Sequence, residues 1–294
     1  MKRAIIIINS KNKKSQFVSR LFDICIILSK KDYETKVMLT KKANDTFNIV
    51  KDNKKHCELI VVAGGDGTMN EVVNALGRDK NKPKIMYFPT GTVNDFGASL
   101  KIPHNFDKQL QLLKKHNVEI VDSGQINDKF FNYVCAFGPF TRASYTTSHS
   151  EKNRFGKLAY YRRIIDEIPT LAQSYYLDVI VDGERINGYF TYAFIINSTS
   201  VGGFKHFMRN DRIDDGYFNL VLVSKTSGKV VRKGIAHLIQ GMKDNFNDDD
   251  YIFKKFKKLQ IITKDKIQWT LDGEKGPVGS IEVEVIKHNL EIVS

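Results

Sequence analysis

VVAGGDGTMNEVVNAL, residues 61–76, decides how this chain folds. An apolar run ends in Gly64-Gly65, a lone aspartate follows, then Gly67-Thr68, and from Met69 apolar residues recur at helical spacing up to Gly77. A buried strand that feeds a helix through a glycine turn is the repeating unit of a parallel α/β sheet. Such a turn leaves backbone N–H groups at a helix N-terminus with no Cβ atoms in the way, which suits a phosphate. Asp66 would repel a bare phosphate, but it suits one whose charge is bridged by a divalent cation, directly or through water. The plainer alternative is a tight turn in which Asp66 only caps the helix.

The rhythm extends in both directions. AIIIIN (4–9) reads as a buried first strand, and Phe17, Leu21, Ile24, Cys25 and Leu28 follow at helical spacing. ETKVMLT (34–40) is a second strand, Ala43, Phe47 and Val50 mark a helix, and CELIVVAG (57–64) is the strand that enters the glycine turn. PKIMYFPTG (83–91) is the next strand; TVNDFGASL and FDKQLQLLKKH open further helices. After VEIVDSGQIN the pattern changes to strands joined by short turns, with hairpin signals at Asp182-Gly183 and Asp272-Gly273. Two helical insertions, near 155–172 and 228–242, interrupt it. The expectation is a mostly parallel α/β domain over 1–122 followed by an antiparallel β-sandwich over 123–294, with a C-terminal tail, about 287–294, free to pack back on the first domain.

Composition narrows the function. With 294 residues, 41% of them hydrophobic, the chain can fill two cores. Lys and Arg outnumber Asp and Glu by 46 to 33, a net +13. That field attracts anionic phospholipid, phosphorylated small molecules or nucleic acid, or serves solubility alone. No zinc spacing or arginine-rich tail supports nucleic acid. Cys25, Cys57 and Cys135 are odd in number, far apart and in apolar surroundings, as reduced thiols of a cytoplasmic protein are. The apolar run in MKRAIIIINS is too short for a signal peptide, and nothing approaches the ~20 apolar residues needed to span a bilayer.

A second glycine loop sharpens the reading. PTGTVNDFGASL (89–100) again ends a strand in Gly91-Thr92 and opens a helix, now with Asn94 and Asp95 in its first turn. Two neighbouring strands delivering such loops place them along one carboxyl edge, where open α/β sheets bind ligands. Asp122, at the end of VEIVD, adds a third acid at a strand end, and three such acids call for cations or basic groups nearby.

GGDGTMNEVVNAL, PTGTVNDF, VDSGQIN, RIDDGYFNLVLV and LDGE occur in the order and approximate spacing of the diacylglycerol kinase catalytic family. The chain resembles its soluble bacterial lipid kinases over essentially its whole length. That resemblance implies an α/β nucleotide domain of the NAD kinase and phosphofructokinase kind, a β-sandwich, and an active site in the cleft between them. It implies transfer of the ATP γ-phosphate, with Mg²⁺, to diacylglycerol or a related lipid alcohol. The matching nucleotide positions are Asn9, Thr40, Gly64, Gly65, Asp66, Gly67, Thr68, Asn70, Thr92 and Asn94. Asp66, Asp95 and Asp122 match the carboxylates that organise the site around Mg²⁺; Arg212, Asp215 and Tyr217 match a structural Mg²⁺ site, the first and last through backbone carbonyls. Glu274 matches the proposed general base, and phosphoryl transfer asks little more of a protein than that and positioned charge.

The chain also departs from the family pattern. NSKNKKS (9–15) replaces a common Pro and Gly, NDFGAS lacks a frequent arginine, and Arg209 stands where a proline is usual. Two further readings stand beside the lipid kinase: a soluble-substrate kinase of the NAD kinase type, and a nucleotide- or lipid-binding regulator without turnover. Basic and aromatic residues interleave in 151–171 and again in FKKFKK (253–258), which suits transient contact with an anionic membrane at its inner face, or a surface helix packed on the sandwich. The resemblance also implies a homodimer through the sandwich.

Overall fold

The computed structural model describes residues 1–9, 15–138, 173–201, 204–205, 212–224 and 251–294. The anticipated helical insertions near 155–172 and 228–242, the basic stretch 151–171, and Lys11, Lys13, Lys14 and Arg209 lie outside them. The chain divides into two compact units, residues 1–123 with 287–294, and residues 124–286.

In the first unit β1 (Lys2–Asn9) is followed by α1 (Gln16–Ser19), α2 (Leu21–Ser29), β2 (Tyr33–Thr40), α3 (Asp45–Asn53), β3 (Leu59–Gly64), α4 (Asp66–Leu76), β4 (Lys84–Pro89), α5 (Asp95–Ser99) and α6 (Phe106–Lys115). β5 (Val118–Ile126) then leads out of it. The strands run parallel in the order β4-β3-β1-β2. Ile5 to Ile8 and Leu59 to Ala63 are buried on both faces, which is why these runs are continuous rather than alternating. One layer of that core joins Phe17, Ile24, Ile27 and Leu28 to Ile6, Ile8, Phe88, Phe106, Leu110 and Leu113, so α1, α2 and α6 share a sheet face.

Local chemistry sets the helix ends. Asn105 caps α6 by accepting from the Lys108 N–H at 3.0 Å, and Lys114 and Lys115 sit in its last turn, where the helix dipole favours cations. α4 buries Met69, Val72, Val73 and Leu76, an i, i+3, i+4, i+7 stripe, and ends at Gly77 with φ +59°. The helix start in TVNDFGASL is α5, five residues long, and Lys101 follows it at φ 54°.

The second unit holds β6 (Lys129–Phe131), β7 (Val134–Phe137), β8 (Tyr175–Val181), β9 (Glu184–Ile196), β10 (Ser200–Val201), β11 (Phe204–Lys205), β12 (Phe218–Ser224), β13 (Tyr251–Phe256), β14 (Lys258–Ile262), β15 (Gln268–Leu271), β16 (Glu274–Val278) and the start of β17 (Ile281–Val293). Its strand pairs are antiparallel. β9 pairs with β8 through its first half and with β7 and β12 through its second, so one long strand serves two arrangements around a shared core. That core centres on Trp269, Phe137, Phe218, Phe256 and Leu220. The two anticipated hairpin turns form with both central residues at positive φ: Asp182 48° and Gly183 95°, Asp272 51° and Gly273 85°.

Candidate functional site

The strand order of the first unit reverses at β1: β2 lies on one side, and β3 and β4 on the other. In open α/β sheets that reversal opens a crevice beyond the carboxyl ends of the strands. Asn9, at the end of β1, spans it by donating from Nδ2 to Thr68 Oγ1 at 3.2 Å. Thr40, Asn9's partner in register, is buried at the end of β2.

The two glycine loops meet there. Thr90 N–H donates to the Gly64 carbonyl at 2.8 Å, continuing the β3–β4 ladder beyond its end. A Cβ on Gly91 would lie 2.6 Å from Gly65 Cα and 2.7 Å from Asn94 Oδ1, and one on Gly64 would lie 2.4 Å from Thr68 Cβ. The side chains are missing first because the loops pack backbone to backbone. Asn94, in the left-handed region at φ 59°, closes the second loop: it accepts from Gly91 N–H at 2.9 Å and donates to the Gly91 carbonyl at 2.7 Å. Thr92 is exposed on the same loop.

Asp66 begins α4, yet α4 has no side-chain cap. Its carboxylate instead accepts from Asp95 N–H at 3.2 Å and Phe96 N–H at 3.1 Å, and so caps α5. One acid thereby fastens the two loops together. Beneath them Tyr87 is fully buried, and among the described residues its hydroxyl has no hydrogen-bond partner. Burial, then the negative charges of Asp66 and Asp95, push that phenol well above its ordinary value. Asp122 is buried and accepts from His288 N–H at 2.6 Å, while Ser123 accepts from Asn289 Nδ2 at 2.5 Å; both bonds anchor the end of β17. Within this unit the structure brings together Asn9, Thr68, Gly65, Gly91, Asp66 and Asp95, and shows Asp122 holding the returning strand.

Among the described residues no group of three or more His, Cys, Asp or Glu has the arrangement of a metal site. Among the described residues, a cation held entirely by side chains does not fit. Mg²⁺ that arrives with phosphates and keeps its waters does fit the neighbouring acids Asp66 and Asp95. Asp215 in the second unit accepts from Tyr217 N–H at 2.9 Å and faces Lys255 Nζ at 3.3 Å. Arg212 pairs bidentately with Asp214 at 3.0 Å, and Lys257 Nζ lies 4.7 Å from the centre of the Tyr217 ring. Lys255 already supplies the positive charge beside Asp215.

Glu274 opens edge strand β16, exposed and with no partner among the described residues. What holds it is Asp272, which the sequence shows only as a turn former. Asp272 is buried and accepts from Asn132 N–H at 2.7 Å, Asn132 Nδ2 at 3.1 Å, Tyr133 N–H at 3.0 Å and Val134 N–H at 3.1 Å. This carboxylate, after burial itself, helps push the Cys135 thiol well up. Glu71 is a second residue the motif reading left without a task. It accepts from Asn44 N–H at 3.1 Å and Phe47 N–H at 3.3 Å, capping α3.

Residues 3–126 match the model of the diacylglycerol kinase catalytic domain. The diacylglycerol kinases of Staphylococcus aureus strains bovine RF122 / ET3-1 and MRSA252 are each 33% identical over 276 residues, 94% of this chain and 87% of theirs. A crystal structure of a diacylglycerol kinase from Bacillus anthracis str. Sterne has the same fold, with TM-score 0.82 over 99% of this chain and 96% of that one, at 24% identity. Among the described residues no helix is long and apolar enough to cross a membrane.

Proposed function

Because this chain belongs to the diacylglycerol kinase family of lipid kinases, we propose that it transfers the γ-phosphoryl group of ATP to the hydroxyl of diacylglycerol, giving phosphatidic acid, or to that of a related lipid alcohol. The observation that carries the reading is the backbone contact of the Gly65 and Gly91 loops, fastened by Asp66 at the carboxyl edge of the parallel sheet. Gly64 to Asn70 and Thr92 surround the nucleotide phosphates there, the free N–H groups being those of the first turn of α4 that precede the Met69 to Gly65 helix bond, with Asn9, Thr40 and Asn94 fixing the loops around them. Mg²⁺, when bound, neutralises phosphate charge as it builds at the leaving oxygen.

Asp66 and Asp95 would hold that ion through its waters, and Asp122 keeps the edge rigid by clamping His288. Glu274 takes the proton of the attacking hydroxyl: the lipid O–H bond breaks, its oxygen bonds phosphorus, and the bond from phosphorus to the β-phosphate oxygen breaks to release ADP. Asp215, with the carbonyls of Arg212 and Tyr217, would hold a second Mg²⁺, in place of the Lys255 charge now beside it. The protein works in the cytoplasm, transiently at the inner face of an anionic membrane, and a homodimer through the second unit is its expected assembly.

A lipid panel with labelled ATP and Mg²⁺ in anionic mixed micelles tests the reading. It predicts label in phosphatidic acid when diacylglycerol is supplied, or in another lipid phosphate. Label in NADP from NAD, or ATP binding with no transfer to any acceptor, would remove it.

A further inference from the structure

α2 is apolar almost all round, LFDICIILS, although only Ile24, Ile27 and Leu28 are buried. On its outer side Phe22 is 76% and Ile26 39% exposed, and Val18 of α1 is 36% exposed. The neighbouring edge strand adds to this surface. Parallel register pairs Ile6 with Val37 and Ile8 with Leu39, and alternation sends all four to the sheet face that α1 and α2 cover. Ile6 and Ile8 are buried there, whereas Val37 stays 42% and Leu39 63% exposed. Five large apolar side chains on one flank of one unit exceed the scatter of single exposed residues that a protein surface normally carries.

Beside them lies a cavity of about 550 Å³ lined by the apolar side chains of Ile26, Ile27 and Leu110 and by Lys30, Lys31 and Lys114. Arg20, on the same cavity, is engaged by Asp23 and Asp107, so among the described residues the three lysines carry its uncompensated charge. An apolar face edged with lysine has two complementary occupants in principle, an anionic bilayer and an acidic protein, while a second copy would bring like charge against like. The chain's +13 favours the bilayer, whose headgroups offer anions at every approach angle and an apolar layer just beneath.

We propose that the flank formed by α1, α2 and β2 docks the protein on an anionic phospholipid bilayer. Phe22 and Leu39 enter the headgroup layer, and Lys30, Lys31 and Lys114 meet lipid phosphates. This rests on the reading of the chain as a lipid kinase, which must reach its substrate at such a surface. Phe22 stands in the first turn of α2, the end near the carboxyl edge of β1, so the flank adjoins the edge that carries the glycine loops.

Sedimentation of the full chain with vesicles of phosphatidylcholine, alone or mixed with phosphatidylglycerol, tests it. The wild type is expected to bind the mixed vesicles and to release with salt. Phe22→Ser with Leu39→Ser removes two large apolar side chains from the contact and should weaken binding about tenfold or more. Lys30→Glu with Lys31→Glu should abolish the preference for the anionic lipid. Both variants should keep the circular dichroism of the wild type and its turnover of a short-chain acceptor dissolved below its micelle concentration. Wild-type vesicle binding by the Phe22/Leu39 variant would overturn the proposal. So would a lipid-free dimer that this variant dissolves. A wild type that phosphorylates the dissolved acceptor but ignores vesicles would sink the docking flank and leave the kinase standing.

Discussion

Gly91 has no room for even one methyl group, since its Cβ would sit 2.6 Å from Gly65 Cα. Gly91→Ala must push the two loops apart, at a cost of about 1–3 kcal/mol of the kind that overpacking brings. A melt should show that loss, and ATP affinity should fall with it; unchanged ATP binding would separate the loop contact from nucleotide binding. Asp272 makes the complementary case, a buried carboxylate surrounded by N–H donors from residues 132–134. Asp272→Asn keeps the shape but turns an NH₂ group toward donors, and should cost about 3 kcal/mol in a denaturant titration. The contrast between these residues explains what was legible. Glycines before a helix announce a close approach wherever they occur, so Gly64, Gly65 and Gly91 could be read. Asp-Gly announces only a turn, and nothing local says whether its carboxylate faces water or a buried row of amides.

At the scale of elements, periodicity carried the reading where burial is one-sided or complete. β1, β3 and α4 stand where the apolar runs put them, because both-face burial and the i, i+3, i+4, i+7 stripe leave few alternatives. α5 starts inside TVNDFGASL, where the pattern puts a helix start, and the left-handed turn at Lys101 follows its end. Which helix an acid caps was hidden: Asp66 and Glu71 both serve helices other than their own. α6 offers an element-level test. His116 follows it at φ 59°, and burial, then Lys31, Lys84 and Lys2, hold its imidazole below the ordinary 6.5. Tyr33 faces it from β2. The unfolded chain therefore takes up the proton first, and stability should fall as pH drops below 6.5. His116→Asn tolerates the left-handed conformation without titrating, so its melting temperature should change less than that of the wild type between neutral pH and about pH 5.5.

At the scale of the molecule, the return of the last residues to the first unit is held by side chains distant in sequence. Lys82 donates to the Asn289 carbonyl at 3.0 Å and to its side-chain oxygen, while Asp122 and Ser123 hold His288 and Asn289. Ile292 pairs in parallel with Ile85, which adds β17 to the sheet beside β4. Burial brings Lys82 down to about 8, against an opposing pull from Asp79. Between about 8 and the ordinary 10.5 the unfolded chain keeps a proton that the folded one has shed, so stability should rise with pH across that window. Lys82→Met should remove the rise in a pH series of denaturant titrations. A tail that packs back on the first domain is among the expectations from sequence, but its meeting with Lys82, Asp122 and Ser123 could not be read from GRDKNKP or KHNLEIVS, because neither stretch carries a motif and the contacts depend on the whole path of the chain.

The central claim is phosphoryl transfer to a lipid hydroxyl with Glu274 as the base, and paired ATP-binding and initial-rate measurements on Glu274→Gln, with diacylglycerol in anionic micelles, test it most directly. The account predicts ATP affinity equal to the wild type and turnover lower by about 10²–10⁴-fold, the worth of a positioned general base. Turnover at the wild-type rate in that variant would contradict it.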